Sequence, residues 1–165
     1  MCIRDRYVYL SVTSNLKVGV TRHTQIPNRW IDQGAHHAIK FAKVPNRYLA
    51  GMIEVEISKY ISDRTQWRKM LQGNYDQIDL INKKNELGKL LPLEYQKYII
   101  KDNSIYDLNY PQLTQLEKIK SINIEKTPSV EGIITGIKGQ YLIIDNLYVL
   151  NVRKYTGYTF EIEII

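Results

Sequence analysis

The chain of 165 residues holds a single cysteine, Cys2, so it can build neither an internal disulfide framework nor a cysteine-ligated zinc site of its own. A reducing, cytoplasmic setting is expected. Phenylalanine and tryptophan occur only twice each, against 13 tyrosines. Most of the aromatic surface therefore carries a hydroxyl, which suits wet sheet faces and base stacking alike. No apolar run approaches the roughly 18 to 20 residues that span a bilayer as a helix, so no membrane partner is expected. Walker loop, nucleophile elbow, HExxH and dinucleotide fingerprint are all missing, as are internal repeats and Gly/Ser linkers. Acidic residues are the scarcer charge, 17 against 23 Lys and Arg, for a net charge of +6. That balance favours polyanionic partners through phosphate contacts and counterion release.

Met1 to Arg6 lack the apolar stretch of a signal peptide. They read like a translated sequencing adaptor and fit no pattern downstream. Residues 1–6 are expected to be a non-native lead-in, and the chain the C-terminal part of a longer protein.

Tyr7 to Thr13 and Leu16 to Thr21, joined at Ser14-Asn15, have the composition of a β-hairpin, with Gly19 inside the second strand. A strand glycine weakens pairing unless another group must approach closely. A short helix follows, with Pro27 near its start, Arg29, Trp30 and Ile31 in its body and Gly34 as its stop. His37 to Val44 reads as a mostly buried third strand. In Arg47 to Ile61, Ala50, Ile53, Ile57, Tyr60 and Ile61 recur at helical spacing, with Glu54 at the edge of their face. Another helix is expected after a cap at Asp63, turning Trp67, Met70 and Leu71 inward. Tyr75 to Asn103 is helical by pattern and broken at Pro92. From Ile105 the pattern turns to β, and the end alternates Tyr158, Phe160, Ile162 and Ile164 against Thr159, Glu161 and Glu163. The expected class is α+β: a β-β-α-β-α module over 7–72, a helical connector over 73–104 and a small antiparallel β domain over 105–165.

The strings Lys17 to Arg22, Arg29 to Ala35, Pro45 to Gly51 and Gly136 to Leu142 closely resemble a bacterial family catalogued as domain of unknown function 2797. That family usually carries a cysteine-rich, zinc-binding segment before the first strand, so zinc would belong only to a segment this chain lacks. More distantly, the N-terminal part resembles the GIY-YIG nuclease superfold. Tyr7-Val8-Tyr9 stands where its first tripeptide would be and Lys17-Val18-Gly19 where its second would be. Arg29 matches the helical arginine, and Glu54 the later glutamate within Ala50-x-x-Ile53-Glu54-x-x-Ile57. Lys17 replaces the second tyrosine and Gln33 a histidine common after the arginine. Both departures bear on catalysis more than on the order of elements.

This resemblance implies a metal-dependent endonuclease or phosphodiesterase. Glu54 would hold one Mg²⁺ or Mn²⁺, Arg29 would bind phosphate, and Tyr9 would position or deprotonate water. Lys17 and Arg22 add positive charge at the hairpin, and Lys138, Tyr141, Arg153, Lys154, Tyr155 and Tyr158 form a basic, aromatic set such as small barrels use on single strands. DNA and RNA are equally compatible with these features. Plainer roles stand beside each assignment: Glu54 paired with Arg29 or Arg47, Tyr9 filling the sheet, Trp30 and Trp67 in the core. The adjacent His36 and His37 would point apart in a strand and serve as surface residues with poor chelating geometry. A non-catalytic nucleic-acid-binding module and an interaction domain with an Arg29-Glu54 ion pair are the alternatives.

Overall fold

The computed structural model describes residues 5–61, 65–161 and 163, and these divide into two compact units, 1–109 and 110–165. The class is α+β, as expected. Cys2, the Asp63 cap and the last alternating isoleucines, Ile162 and Ile164, lie outside the described residues.

In the first unit β1 (Arg6–Val12) and β2 (Leu16–Arg22) form the expected hairpin, and β3 (His37–Val44) pairs with the other edge of β1. All of these pairings are antiparallel. Alternation along the hairpin divides its residues between two faces. Val8, Leu10, Val12, Leu16 and Val18 lie on one, where they join Ile39, Phe41, Ala42 and Val44 of β3 in the main core. Helix α2 (Arg47–Ser58) covers that face with Ala50, Ile53 and Ile57, and its first turn is capped by Asn46, whose side chain accepts from the Leu49 amide at 2.9 Å. Tyr60, expected on the same helical face, lies beyond the end of α2 and is exposed.

On the opposite face lies α1 (Asn28–Asp32), anchored by Trp30, which is fully buried with Tyr9, Ala35 and Ala38. Gly34 ends this helix in the left-handed region at φ +70°, where a side chain would strike the sulfur of Met70. Met70 and Leu71 are the buried residues of α3 (Trp67–Leu71); Trp67 is half exposed under the Arg68 guanidinium, not turned inward as expected.

The helical pattern after Tyr75 resolves into α4 (Leu80–Leu90) and α5 (Leu93–Gln96), separated by Pro92. Leu80, Leu87 and Leu91 enter the main core, so this stretch belongs to the first unit and is no connector. So does β4 (Ile105–Asp107), which pairs with the start of β3 and completes the order β2-β1-β3-β4. The expected boundary at 104/105 therefore moves to 109/110. At the other end Arg6 opens β1 and the Asp5 carboxylate pairs with Lys43 at 2.8 Å, so the ordered sheet begins inside the supposed lead-in. The hairpin turn is itself covered. Ser14 is buried, its hydroxyl accepting from the Gln66 amide and its carbonyl from the Asp76 amide.

The second unit is a four-stranded sheet of order β5-β8-β7-β6, made of β5 (Lys120–Ser121), β6 (Ile134–Lys138), β7 (Tyr141–Ile144) and β8 (Tyr148–Asn151). Its longer strands are antiparallel as expected, with Gly139 in one turn and Asp145-Asn146, both at φ 53°, in the next. The sheet is mixed, however, because β5 pairs with β8 in parallel. Nor does the alternating C-terminal stretch form a strand among the described residues. A 3₁₀ turn over Val152–Tyr155 and Gly157 at φ +96° carry the chain off the sheet, and Tyr158 and Phe160 are exposed. Alternation shows that a segment could pair, not that an edge is open to it. Among the described residues no helix is long and apolar enough to cross a membrane.

The two sides of α2 give a direct test of which face carries the stability. Ile53→Ala, at a fully buried position, is expected to lower the unfolding free energy by about 2–5 kcal/mol through lost transfer energy and a cavity. Val55→Ala, exposed on the same helix, should stay within about 0.5 kcal/mol in the same urea titration.

Candidate active site on the tyrosine face of the sheet

The face opposite α2 owes its shape to one close approach. Tyr9 stands directly across from Gly19 in the β1/β2 register, and its ring lies over the glycine backbone: a Cβ at position 19 would sit 2.5 Å from the phenol oxygen. Any side chain there would displace the ring. Trp30 meets Tyr9 edge to face, with centroids 5.8 Å apart, and holds α1 beside it.

Anchoring α1 in this way brings two of its polar residues to the phenol. The Tyr9 hydroxyl donates to Gln33 Oε1 at 3.0 Å. Arg29, half-buried, acts on it as well. Burial pushes the Tyr9 phenol above its ordinary pKa; the Arg29 charge, the Gln33 hydrogen bond and hydrogen bonding to Arg29 pull it back, and the Glu54 charge pushes it up again. Glu54 is half-buried on α2, next to Ile53 in the core. The Tyr9 phenol thus meets Gln33, in the position that sequence marked as a departure, and lies beside Arg29, while the more distant Glu54 acts on it only as the smallest of these charge effects. The net upward shift keeps the phenol protonated at neutral pH. It can orient an oxygen but is a poor proton acceptor, so deprotonation of water by Tyr9 is disfavoured while positioning is not.

Compared with protein families, residues 1–160 match the family described as "Protein of unknown function (DUF2797)". The chain belongs to that family. No curated protein matches it, and no solved structure does.

In this DUF2797 chain the remaining candidates divide by location. Lys17 is half-buried on β2, two residues before Gly19 and so on the Tyr9 face. Arg22 ends β2 opposite Arg6; by the same alternation it belongs to the other face, away from Tyr9. Lys138 belongs to the second unit and is buried, only 3 % exposed, with its amine 5.5 Å from the Tyr110 ring centroid and pushed down to about 8 by desolvation. It is therefore withdrawn from the solvent-facing role expected of it. Tyr141 and Tyr155 are buried too, the latter donating to Asn123, which leaves Arg153, Lys154 and Tyr158 as the exposed members of that set. Tyr158 donates to Glu125, in a groove of about 1360 Å³ also lined by Glu131, Glu161 and Glu163. That carboxylate lining opposes a polyanion.

Among the described residues no group of three or more His, Cys, Asp or Glu could hold a metal. A cation on Glu54 would take its other ligands from water and phosphate, as Mg²⁺ commonly does. His36 and His37, expected at the surface and apart, are half-buried and meet at Tyr75: His36 stacks on its ring at 4.1 Å, while His37 lies 3.3 Å from its hydroxyl and 2.6 Å from Asp107. This network ties β3 to β4.

Sequence reasoning missed Lys40. The register slips between Val8 and Tyr9, so Phe41 is the extra residue of a bulge and Lys40 falls opposite Tyr9. Its amine lies over the rings of Tyr7 and Tyr106, 5.6 and 5.1 Å from their centroids. A lysine flanked by the apolar Ile39 and Phe41 was the available signal.

Two consequences are measurable. Gly19→Ala should cost about 1–3 kcal/mol by forcing the Tyr9 ring aside, and adding Tyr9→Ala should remove most of that increment, so the pair is non-additive in a double-mutant cycle. For Lys138, between about pH 8 and the ordinary lysine value of 10.5 the unfolded chain binds the extra proton, so its contribution to stability rises with pH across that window. Lys138→Met should flatten that rise and be the more stable protein at pH 7, as read from denaturant midpoints at stepped pH.

Proposed function

We propose that the first unit binds nucleic acid through its tyrosine face and cleaves phosphodiesters there with a divalent cation held on Glu54. The Tyr9 phenol, donating to Gln33 with the half-buried Arg29 on the same short segment and Lys17 on the same sheet face, carries this reading, and the resemblance assigns Glu54 to it. The hairpin, the arginine helix and the glutamate helix also follow one another in the order that the GIY-YIG resemblance implies.

Each residue has a task in such a reaction. Arg29 binds a nonbridging phosphate oxygen and offsets the charge that grows on it in the transition state. Tyr9, kept protonated and steered by Gln33, orients water or a phosphate oxygen. Glu54 supplies a hard oxygen ligand suited to Mg²⁺ or Mn²⁺. Such a cation provides Lewis acidity toward phosphate and lowers the pKa of water. Lys17 adds positive charge on the same face.

A non-catalytic binding module is favoured by a different observation. The Tyr9 hydroxyl donates to Gln33, a side chain that cannot act as a base, where the resemblance would place a histidine. Binding would then use the same cations without turnover.

Cleavage of a panel of labelled single-stranded, duplex and branched DNA and RNA with Mg²⁺ or Mn²⁺ tests both readings. Nuclease action is expected to fall at least about 100-fold in Glu54→Ala and in Arg29→Ala, with binding retained in Glu54→Ala. Binding without cleavage in the unmutated protein would favour the recognition module. Absence of both would leave Arg29 and Glu54 as a structural pair.

A further inference from the structure

We propose that Lys40 is a second phosphate-binding position on this face, and that the ligand is accordingly a polynucleotide strand with consecutive phosphates, not a mononucleotide. The inference rests on the binding role proposed above and specifies its substrate class.

Three observations lead to it. The bulge at Phe41 turns Lys40 toward the face that carries Tyr9, where an unbroken alternation from Val8 and Ala42 would have sent it to the core. The amine is then held over two aromatic rings, Tyr7 and Tyr106, which fix its place. Finally, Lys17 and Lys40 stand on the two strands that flank β1, opposite Ser11 and Tyr9, so two strand spacings and a two-residue offset separate their backbones by about 12 Å. Trp30 lies between, touching Tyr9 on one side and Tyr106 on the other. With its amine held between the Tyr7 and Tyr106 rings, Lys40 is not turned toward Lys17 to share one phosphate. A strand running across the sheet, with Arg29 near its middle, meets them in turn.

One carboxylate competes for the same amine. Asp102 lies near enough to be affected by the Lys40 charge, although its first hydrogen-bond donors are the hydroxyl and amide of Ser104 at 2.6 and 2.9 Å. If Lys40 serves only to balance Asp102, its removal will not alter how nucleic acid binds.

The test is fluorescence anisotropy of the full chain with a labelled single-stranded oligothymidylate of about 12 nucleotides, without divalent metal, from about 50 to 200 mM salt. Lys40→Met should weaken binding about 3- to 10-fold at the lowest salt and reduce the slope of log K against log salt by about 0.7 to 1. Lys40→Arg should restore the slope, and Lys89→Met, at an exposed position of α4, should leave it unchanged. Thymidine monophosphate should compete poorly and equally against wild type and Lys40→Met. An unaltered slope in a Lys40→Met protein with native circular dichroism, or thymidine monophosphate competing as effectively as unlabelled oligothymidylate, overturns the inference while the binding role stands. If the unmutated protein binds no oligonucleotide at any salt, both fall together.

Discussion

Tyr9 lies against the backbone of β2 at the one residue without a side chain, and the rest of that face is arranged around the room this gains. With the ring flat over Gly19, Trp30 can pack edge-on behind it and bring α1 down onto the sheet. Arg29 and Gln33 then reach the phenol because they neighbour Trp30 on that short helix. A helix as short as α1 has little stability of its own, since nucleation fixes several residues for few hydrogen bonds. Its position is set by one tryptophan, and the polar constellation inherits its accuracy from that contact.

The sheet meanwhile separates two kinds of environment. Its α2 face is a continuous apolar core, closed by residues from α4 and the segment after it. The other face is aromatic and polar, with tyrosine rings bordering lysines. Glu54 bridges the two. It belongs to the helix that covers the core, yet its charge is felt by a phenol on the other side.

Much of this was legible in the sequence. Tyr7 to Arg22 announced a hairpin by composition, Gly34 and Pro92 stopped helices where the backbone demands it, and Ala50, Ile53 and Ile57 marked the buried side of α2. The grouping of Tyr9 with Arg29 and Glu54 was suggested only by resemblance, because local spacing says nothing of residues 20 and 45 positions apart. What escaped was tertiary. A bulge is invisible to alternation, so Lys40 was assigned to a buried strand. Lys138 was read as a surface cation because composition gives no account of which turn Tyr110 will cover. The C-terminal alternation was sound as a pattern, yet its described residues, Tyr158 to Glu161, form no strand.

The pairing of His37 with Asp107 reaches across 70 residues to lay β4 along β3. During synthesis, the hairpin, α1 and α2 will have left the ribosome well before the strand that finishes their sheet. Until then β3 presents an open edge, and Trp30 lacks the cover of Tyr106. A nascent chain in that state has most of its polar constellation in sequence but not yet in register, so any affinity for nucleic acid should emerge late in translation, once the final strand has closed the unit.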